Sequence, residues 1–316
     1  MSEPMKVLFL AGKGRSGGTL LAGLMGQLPG FFSVGELNRL WDWGLSSNFR
    51  CGCGHPVQEC DTWRAVIARA DEIAGRRPGD SLATAGIDRA QAAVVRWPNV
   101  PRLLRTRPDG RRTWPDLERY TDAASAVYRA IGEVTGAKVV VDSSRLPFEP
   151  VALGLVPDVE VRIAHLVRDP RAVVYSWKRT KKHTDRDSGE MDRFGATYST
   201  ASWTARNLVV EAIGRRTELR LVHYDDLARN PAGTLTDLAE FVGEQAGDLG
   251  FITDGAAEIR PTHSVGGNPI RMHTGSTSIR PDDEWREQIG TRDRLLGTTL
   301  ALPLLHRYDL PVRTRR

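Results

Sequence analysis

A glycine-rich turn near the start of the chain limits its possible folds most strongly. The stretch AGKGRSGGT (residues 11–19) follows the apolar run KVLFL (6–10), and leucines then recur at helical spacing up to Pro29 and Gly30. An unbroken apolar run of this kind suits a strand that is buried on both faces. A strand, a glycine turn and a helix in this order form the opening unit of a parallel α/β sheet.

Three later apolar runs have the same character. They are KVVVD (138–142), VRIAHLV (161–167) and LRLVHY (219–224), and we expect each to be a strand of the same sheet. Apolar side chains at helical spacing predict helices near residues 62–73 and along 120–134. The sequence therefore predicts an α/β protein with a P-loop-type three-layer fold, in which helices flank a central, mainly parallel sheet.

The predicted domain covers residues 1–316 and contains an irregular, partly helical insertion at about 41–115. Prolines are dense in the insertion, above all in WPNVPRLLRTRPDGRRTWP (97–115), which argues against regular structure in that segment. A mobile lid and a solvated basic connector are both consistent with such a composition.

The turn itself has the spacing of a phosphate-binding loop but lacks the lysine of a nucleotide kinase. Gly12 and Gly17 stand five apart, and Gly18 occupies the place of the lysine in GxxxxGK[ST]. Backbone N–H groups and the helix N-terminus still favour an anion, and Arg15 adds a fork of donors. We therefore expect the loop to bind phosphate or sulfate rather than a magnesium triphosphate.

A second anion site is predicted after the run at 161–167. Arg168 follows this strand directly, Asp169 is a good N-cap, and Pro170 suits the first position of a helix. Ligands of open α/β sheets bind at the carboxyl ends of the strands. Arg168 and Ser176 together therefore suggest a second phosphate subsite, although each alone could be an ordinary surface group.

The charge balance is consistent with an anionic ligand. Lys and Arg number 44 against 39 Asp and Glu, which gives a net charge of +5. The sequence carries no helix-turn-helix, zinc-finger or RNP signature, so we expect no nucleic-acid partner. Its apolar runs are shorter than the ~20 residues that span a bilayer, and its first residues do not read as a secretory leader. We expect a cytoplasmic protein.

All three cysteines lie in RCGCGHPVQEC (50–60). Cys51, Cys53, His55 and Cys60 offer four zinc ligands, at a closer spacing than zinc fingers use. The odd number of cysteines argues against a disulfide framework. We favour a reduced, glycine-rich structural loop over structural zinc, and both over a catalytic cysteine.

Five short motifs occur in order along the chain: RSGGTL (15–20), GELNR (35–39), RLPF (145–148), LVRDPRAVVYS (166–176) and VHYDDLARNP (222–231). As a set they resemble the PAPS-dependent sulfotransferases, in particular the bacterial, protein-tyrosine sulfotransferase-like branch. The resemblance covers most of the chain, thinly at 63–138 and in the last thirty residues.

The resemblance implies which residues hold PAPS. The first loop of the family holds the 5′-phosphosulfate, and Gly18 replaces a threonine of its usual RSGTT. The family's arginine and serine for the 3′-phosphate match Arg168 and Ser176, and Tyr224 would lie near the nucleotide. Ser264 and Arg280 match further phosphate contacts weakly, and Arg271 is a rival for the same role. The loop residues concerned are Arg15, Ser16, Gly17, Gly18 and Thr19.

The resemblance also implies the chemistry. Glu36 in GELNR matches the family's catalytic base, although an acidic residue there could simply begin a helix. Arg145 in RLPF stands where the family has a lysine, so it keeps the charge on the leaving group but is a poor proton donor. Sulfuryl transfer needs alignment and charge neutralisation, and no metal.

Three functions remain open on the sequence alone. The first is transfer of a sulfuryl group from PAPS to a hydroxyl or amine of a small-molecule acceptor, with release of PAP. The second is a P-loop kinase of a small molecule, for which Asp142 would be the magnesium ligand. The third is a non-catalytic nucleotide- or nucleic-acid-binding module. The acceptor is expected to contact the insertion, and a homodimer is left open.

Overall fold

Five parallel strands form the central sheet of the computed structural model, which describes residues 3–144, 146–156, 158–179, 192–253 and 255–312. Their order across the sheet is β2, β3, β1, β4, β5. All four neighbouring pairs are parallel. The strands are β1 (Met5–Ala11), β2 (Phe31–Gly35), β3 (Val139–Asp142), β4 (Val159–Val167) and β5 (Leu219–His223).

Helices cover both faces of this sheet. The helices are α1 (Gly18–Met25), α2 (Asp61–Ile73), α3 (Ile87–Val94), α4 (Val100–Arg105), α5 (Pro115–Thr135), α6 (Glu149–Leu153), α7 (Pro170–Lys178), α8 (Ala196–Ile213), α9 (Tyr224–Arg229), α10 (Pro231–Phe241), α11 (Glu284–Gln288), α12 (Thr291–Thr299) and α13 (Leu302–Arg307). Among the residues that the structure describes, none of the helices combines the length and the apolar character needed to cross a membrane.

The strand β1 shows how the three layers are built, because its side chains alternate between the two faces. Leu8 and Leu10 pack with α1 and α10, whereas Val7 packs with α2, α3 and α5 on the other face. Phe9 packs on that second face against α8. All four side chains are at most 1% exposed. The predicted three-layer α/β fold is therefore confirmed.

A small antiparallel sheet follows near the C-terminus. It consists of β6 (Ile252–Thr253), β7 (Ala256–Ile259) and β8 (Gly275–Ser278). Between β7 and β8 the chain returns to the main sheet, where Val265 forms a parallel bridge with Gly35 at the end of β2. Short helical turns complete the structure at Leu37–Arg39, Leu40–Ser46, Val57–Glu59, Trp97–Asn99, Asp109–Thr113 and Pro269–Met272.

The predicted strands at 138–142, 161–167 and 219–224 are confirmed as β3, β4 and β5. The predicted helices at 62–73 and 120–134 correspond to α2 and α5. The strand β2 was not predicted, and its five residues FFSVG include a buried serine. This omission matters because Glu36 directly follows β2.

The proline-rich part of the insertion, residues 97–115, contains the helix α4, contrary to the expectation that it lacks regular structure. The helices α2 and α3 lie earlier in the insertion, and Trp63, Val94 and Leu103 from the three helices are at most 1% exposed in the core formed with α5. Pro98 and Pro101 lie in the first turns of helical segments, where the missing N–H costs nothing. Proline density therefore marks helix starts here, not loss of structure.

Candidate functional site

The candidate residues share one topological position, the carboxyl end of a parallel strand. The glycine loop follows β1, Glu36 follows β2, Arg168 follows β4, and Tyr224 follows β5. Because the strands are parallel, their carboxyl ends meet along one edge of the sheet. Since β1 lies between β3 and β4, the chain changes direction across the sheet at this strand, which is where open α/β sheets bind ligands.

Two glycines let the loop approach its neighbours closely. At Gly12, with φ 138°, a Cβ atom would lie 2.4 Å from the carbonyl oxygen of Leu166 in β4. At Gly17, with φ 95°, it would lie 2.7 Å from the ring of Tyr224. A side chain at either position would displace β4 or the aromatic ring. The loop is thereby fixed between the ends of β1, β4 and β5, with α1 beginning directly after it.

Arg15 lies inside the loop in an uncommon backbone conformation. Its φ is 76°, in the left-handed region that costs a residue other than glycine about 1–2 kcal/mol. Its side chain is 8% exposed, and its guanidinium lies 4.7 Å above the ring of Trp177. The indole Nε1 of Trp177 donates to the carbonyl of Gly14 at 3.1 Å. Burial lowers the pKa of Arg15 from its usual high value. Strain and burial of this kind concentrate at functional sites.

Arg168 joins the loop to the end of β5. Its Nη1 donates to the carbonyl of Arg15 at 3.1 Å, and its Nη2 donates to Asp282 Oδ2 at 2.8 Å. The guanidinium lies 4.2 Å above the ring of Tyr224. Burial is the main cause that raises the pKa of Tyr224. The glycine loop therefore contains one buried arginine, Arg15, and contacts a second, Arg168, whose guanidinium is stacked on a neutral phenol ring.

The loop does contain a lysine, Lys13, whose contacts were not predicted from the sequence. Its Nζ lies 5.2 to 5.8 Å from the rings of Trp177, Phe194 and Tyr198. It also donates to Ser202 Oγ at 3.0 Å. This ammonium group is therefore held among aromatic rings of α7, α8 and the segment before α8. Lys13 was visible in the sequence, but no spacing linked it to rings about 165 to 185 positions later.

Glu36 lies on the other side of β1 from Arg168 and is buried, with 7% of its surface exposed. Its N–H donates to the carbonyl of Val265 at 2.7 Å. A Cβ atom placed on Gly267 would lie 3.6 Å from Glu36 Oε1, 3.7 Å from Thr19 Oγ1 and 3.7 Å from Arg271 Cδ. The side chains of Glu36, Thr19 and Arg271 therefore surround the backbone of Gly267.

A cavity adjoins this group, between α1 and the chain from β7 to β8. Thr19, Gly35 and Arg271 line it, together with Ser264, His273 and small or apolar side chains. Arg271 donates to the carbonyls of Ser264 and Arg50, at 2.9 and 2.8 Å. The hydroxyl of Ser264 accepts from Thr262 at 3.0 Å. The predicted phosphate contacts Ser264 and Arg271 therefore lie on the Glu36 side of the site.

Other predicted residues are more dispersed. Ser16 is buried in the loop, and Ser176 is half-buried on α7. Arg280 is exposed just after β8, two positions before the Asp282 that pairs with Arg168. Arg145 lies outside the described residues.

Asp142, at the end of β3, is fully enclosed by hydrogen-bond donors. Its Oδ2 accepts from the Tyr128 hydroxyl at 2.5 Å, and its Oδ1 accepts from the N–H of Ser144 at 2.8 Å. Burial raises the pKa of Asp142 above its ordinary value. A carboxyl group occupied in this way, with its charge disfavoured, is poorly suited to bind magnesium.

Glu149 is a second buried carboxyl group that the sequence analysis did not single out. Its Oε1 accepts from the Tyr120 hydroxyl at 2.8 Å and from Gln91 Nε2 at 2.9 Å. Burial is the largest of the causes that raise its pKa to about 8, and the charge of Asp142 adds to the shift. Sequence spacing gave no signal, because the three residues come from α3, α5 and α6.

One of the four predicted zinc ligands, His55, does not lie with the three cysteines, and another histidine takes its place. His55 is exposed, and its carbonyl accepts from the N–H of Cys51 at 2.8 Å. The imidazole among the cysteines belongs to His263, whose Nδ1 lies 3.2 Å from Cys60 Sγ. His55 is therefore not part of the cluster formed by Cys51, Cys53, Cys60 and His263. Burial raises the pKa of the Cys60 thiol, so it is a poor nucleophile.

A sequence model of the Sulfotransferase family matches residues 8–248, which include the glycine loop, Glu36, Arg168 and Tyr224. The chain belongs to the sulfotransferase family. The curated relatives of this chain include carbohydrate sulfotransferase 5 of Mus musculus, 36% identical over 102 residues that make up 28% of this chain and 26% of the relative. Carbohydrate sulfotransferase 6 of Homo sapiens is 35% identical over 104 residues, with the same coverage of 28% and 26%. The match thus spans about a quarter of the length of these relatives.

A solved sulfotransferase domain from the curacin biosynthetic pathway has the same fold as this family member. The two chains are 17% identical, and the superposition covers 98% of this chain and 100% of the other, with a TM-score of 0.50. A likeness at this level of identity concerns the arrangement of strands and helices alone.

Proposed function

We propose that this protein transfers the sulfuryl group of PAPS to a hydroxyl or amine of a small-molecule acceptor and releases PAP. The observation that carries the proposal is the convergence of the glycine loop, two buried arginines and a buried glutamate at one sheet edge. The family membership supports sulfuryl transfer in general. The donor, the acceptor class and the residue roles below are our proposal.

The donor half comprises the loop and the ends of β4 and β5. Backbone N–H groups of residues 15–19, the N-terminus of α1 and the Arg15 guanidinium suit the 5′-phosphosulfate. Arg168 suits the 3′-phosphate, with Ser176 on the following helix, and the ring of Tyr224 supports the Arg168 guanidinium at 4.2 Å. Two cationic groups joined through the Arg15 carbonyl fit a ligand with two phosphate groups.

The acceptor half comprises Glu36 and the neighbouring side chains of Thr19 and Arg271, which meet around Gly267. In the reaction the acceptor oxygen or nitrogen attacks sulfur, and the bond between sulfur and the bridging oxygen of the 5′-phosphate breaks. The acceptor proton passes to the Glu36 carboxylate, and PAP leaves with the electron pair of the broken bond. Arg15 neutralises the charge that develops on the leaving phosphate. Arg145 is proposed for the same role.

The kinase alternative has less support in this chain. Gly18 begins α1 where a kinase lysine would stand, and Lys13 is held among aromatic rings instead. Asp142, the candidate magnesium ligand, is enclosed by Tyr128 and Ser144. These contacts favour a donor that needs no magnesium.

Calorimetry separates the proposed functions by ligand. We expect PAP to bind with the same affinity with and without EDTA, and Mg-ATP or an oligonucleotide to bind at least tenfold more weakly. Binding of Mg-ATP without binding of PAP would overturn the proposal. Transfer of label from PAPS to a panel of hydroxyl and amine acceptors, carbohydrates included, then identifies the acceptor class.

Two variants test the assigned roles. Glu36→Gln should lower turnover about 10²–10⁴-fold because the base is lost, with PAP affinity within about threefold of wild type. Arg168→Ala should weaken PAP binding about 10²-fold because a charge-assisted contact is lost. Arg64→Ala, on the exposed side of α2, is the matched arginine control and should change neither quantity. Near-normal turnover of Glu36→Gln would show that another group accepts the proton.

A further inference from the structure

Three cysteines and one histidine meet beside the candidate site, although they come from distant parts of the chain. Cys51, Cys53 and Cys60 lie in the loop before α2, and His263 lies between β7 and β8. Their four ligand atoms all lie within 4.8 Å of one another. None of the three cysteines forms a disulfide. We propose that these four residues bind one zinc ion as a structural site.

The spacing of the atoms is close to that of a tetrahedral zinc site. With Zn–S bonds of about 2.3 Å and a Zn–N bond of about 2.05 Å, a tetrahedron holds its sulfurs about 3.8 Å apart and the nitrogen about 3.5 Å from each sulfur. Cys53 Sγ and Cys60 Sγ are 3.7 Å apart. His263 Nδ1 lies 3.2 Å from Cys60 Sγ and 3.9 Å from Cys51 Sγ. Small shifts therefore complete the coordination.

The surroundings of His263 fix its ring in the orientation that a ligand needs. Its Nε2 lies 3.3 Å from Thr62 Oγ1, and with the proton on Nε2 donating to this hydroxyl, the lone pair of Nδ1 faces the thiols. The ring is stacked on Phe32 with an interplanar angle of 10°. The indole of Trp63 donates to the His263 carbonyl at 2.8 Å. Nearly every metal-bound histidine makes a hydrogen bond through the ring nitrogen that does not bind the metal, as Nε2 of His263 does with Thr62.

The ligand set selects the metal and the type of site. Three thiolates and one imidazole in a tetrahedral arrangement favour zinc over calcium or magnesium, which prefer oxygen. Four protein ligands leave no open position for a substrate, so the site is structural. On binding, three S–H bonds break, three Zn–S bonds form, and the three protons pass to the buffer.

The position of the site gives it a mechanical role. Zinc would join the loop at residues 51–60 to residue 263, next to the point where Gly52 donates to the Ser264 carbonyl at 2.9 Å. Val265 follows, and its carbonyl accepts from the N–H of Glu36. The ion would therefore hold the segment that fixes the backbone of the candidate base, without touching the reacting groups.

The full chain, purified under reducing conditions from zinc-supplemented medium, tests the proposal by its metal content. We expect one zinc per chain in wild type and in His55→Ala, the matched histidine control. In His263→Ala and Cys60→Ser the zinc affinity should fall at least tenfold. Cobalt replacing the zinc of wild type should give the absorption of a tetrahedral cobalt–thiolate site.

The wild-type measurements decide the matter even where a ligand variant fails to fold. The proposal is overturned if wild type is folded but contains no stoichiometric metal and shows no cobalt–thiolate absorption after cobalt is added. Loss of zinc from His55→Ala, or a Cys53–Cys60 disulfide in the reduced protein by mass spectrometry, overturns it as well. PAP binding is measured separately, so the zinc site and the proposed function can fail independently.

Discussion

Replacement of Glu149 by glutamine should remove a pH dependence from the stability of the protein. Burial raises the pKa of Glu149 from 4.5 to about 8, so the folded chain keeps a proton there that the unfolded chain has lost at intermediate pH. A raised carboxyl pKa makes folding less favourable as pH increases between these two values. The carboxyl group contributes fully to stability below pH 4.5, and the contribution is lost progressively up to about pH 8.

The magnitude follows from the size of the shift. One pKa unit corresponds to about 1.4 kcal/mol, so Glu149 should lower the free energy of unfolding by about 1.4 kcal/mol per pH unit, and by roughly 5 kcal/mol in total. The side chain is 1% exposed, so solvent screening reduces this figure little. In Glu149→Gln the amide does not titrate, and its oxygen can still accept from Tyr120 and Gln91.

Urea unfolding at several pH values between about pH 5 and pH 8 measures this slope. We expect the free energy of unfolding of the variant to fall less steeply with pH than that of wild type, by about 1.4 kcal/mol per pH unit. Glu240→Gln, an exposed change on α10, is the control and should leave the slope as in wild type. A Glu149→Gln slope equal to that of wild type would refute the argument, whatever the absolute stability of the variant.

Two further variants test the donor side of the site. Gly17→Ala should lower the free energy of unfolding, measured by urea titration, by about 1–3 kcal/mol, because the backbone conformation is left-handed and the new methyl group would meet the Tyr224 ring. Gly23→Ala on α1 is the control: the position has open space around it, so this change should raise the free energy of unfolding by about 0.5–1 kcal/mol. Asp282→Asn removes the carboxylate 2.8 Å from Arg168, so PAP should bind about fivefold more tightly by calorimetry, and weaker binding would show that Asp282 mainly positions the arginine.

The parts of the fold that depend on local pattern could be predicted from the sequence. Continuous apolar runs identify β1, β3, β4 and β5 because a strand buried on both faces needs no alternation. The glycine loop and Arg168 follow from the same reasoning, since each comes directly after such a run. The strand β2 escaped because it is short and carries a buried serine, so it lacked the expected hydrophobic signal.

The parts of the site that depend on distant pairing could not be predicted. His55 was the only histidine near the cysteines in sequence, whereas His263 reaches them from 203 positions after Cys60. Similarly, Glu149 meets Tyr120 and Gln91 only because α3, α5 and α6 pack together. Such contacts are set by packing between elements, and no spacing along the chain encodes them.

The bridge between Gly35 and Val265 has a consequence for how the protein folds while it is being synthesised. Glu36 leaves the ribosome early, but the carbonyl that holds its N–H belongs to a residue made more than two hundred positions later. The edge of β2 stays open until that late segment arrives and pairs with it. A nascent chain can therefore contain most of the main sheet and the complete glycine loop while the backbone of its candidate base is still unsupported. The proposed activity should appear only after the segment around Val265 has been synthesised and has folded back.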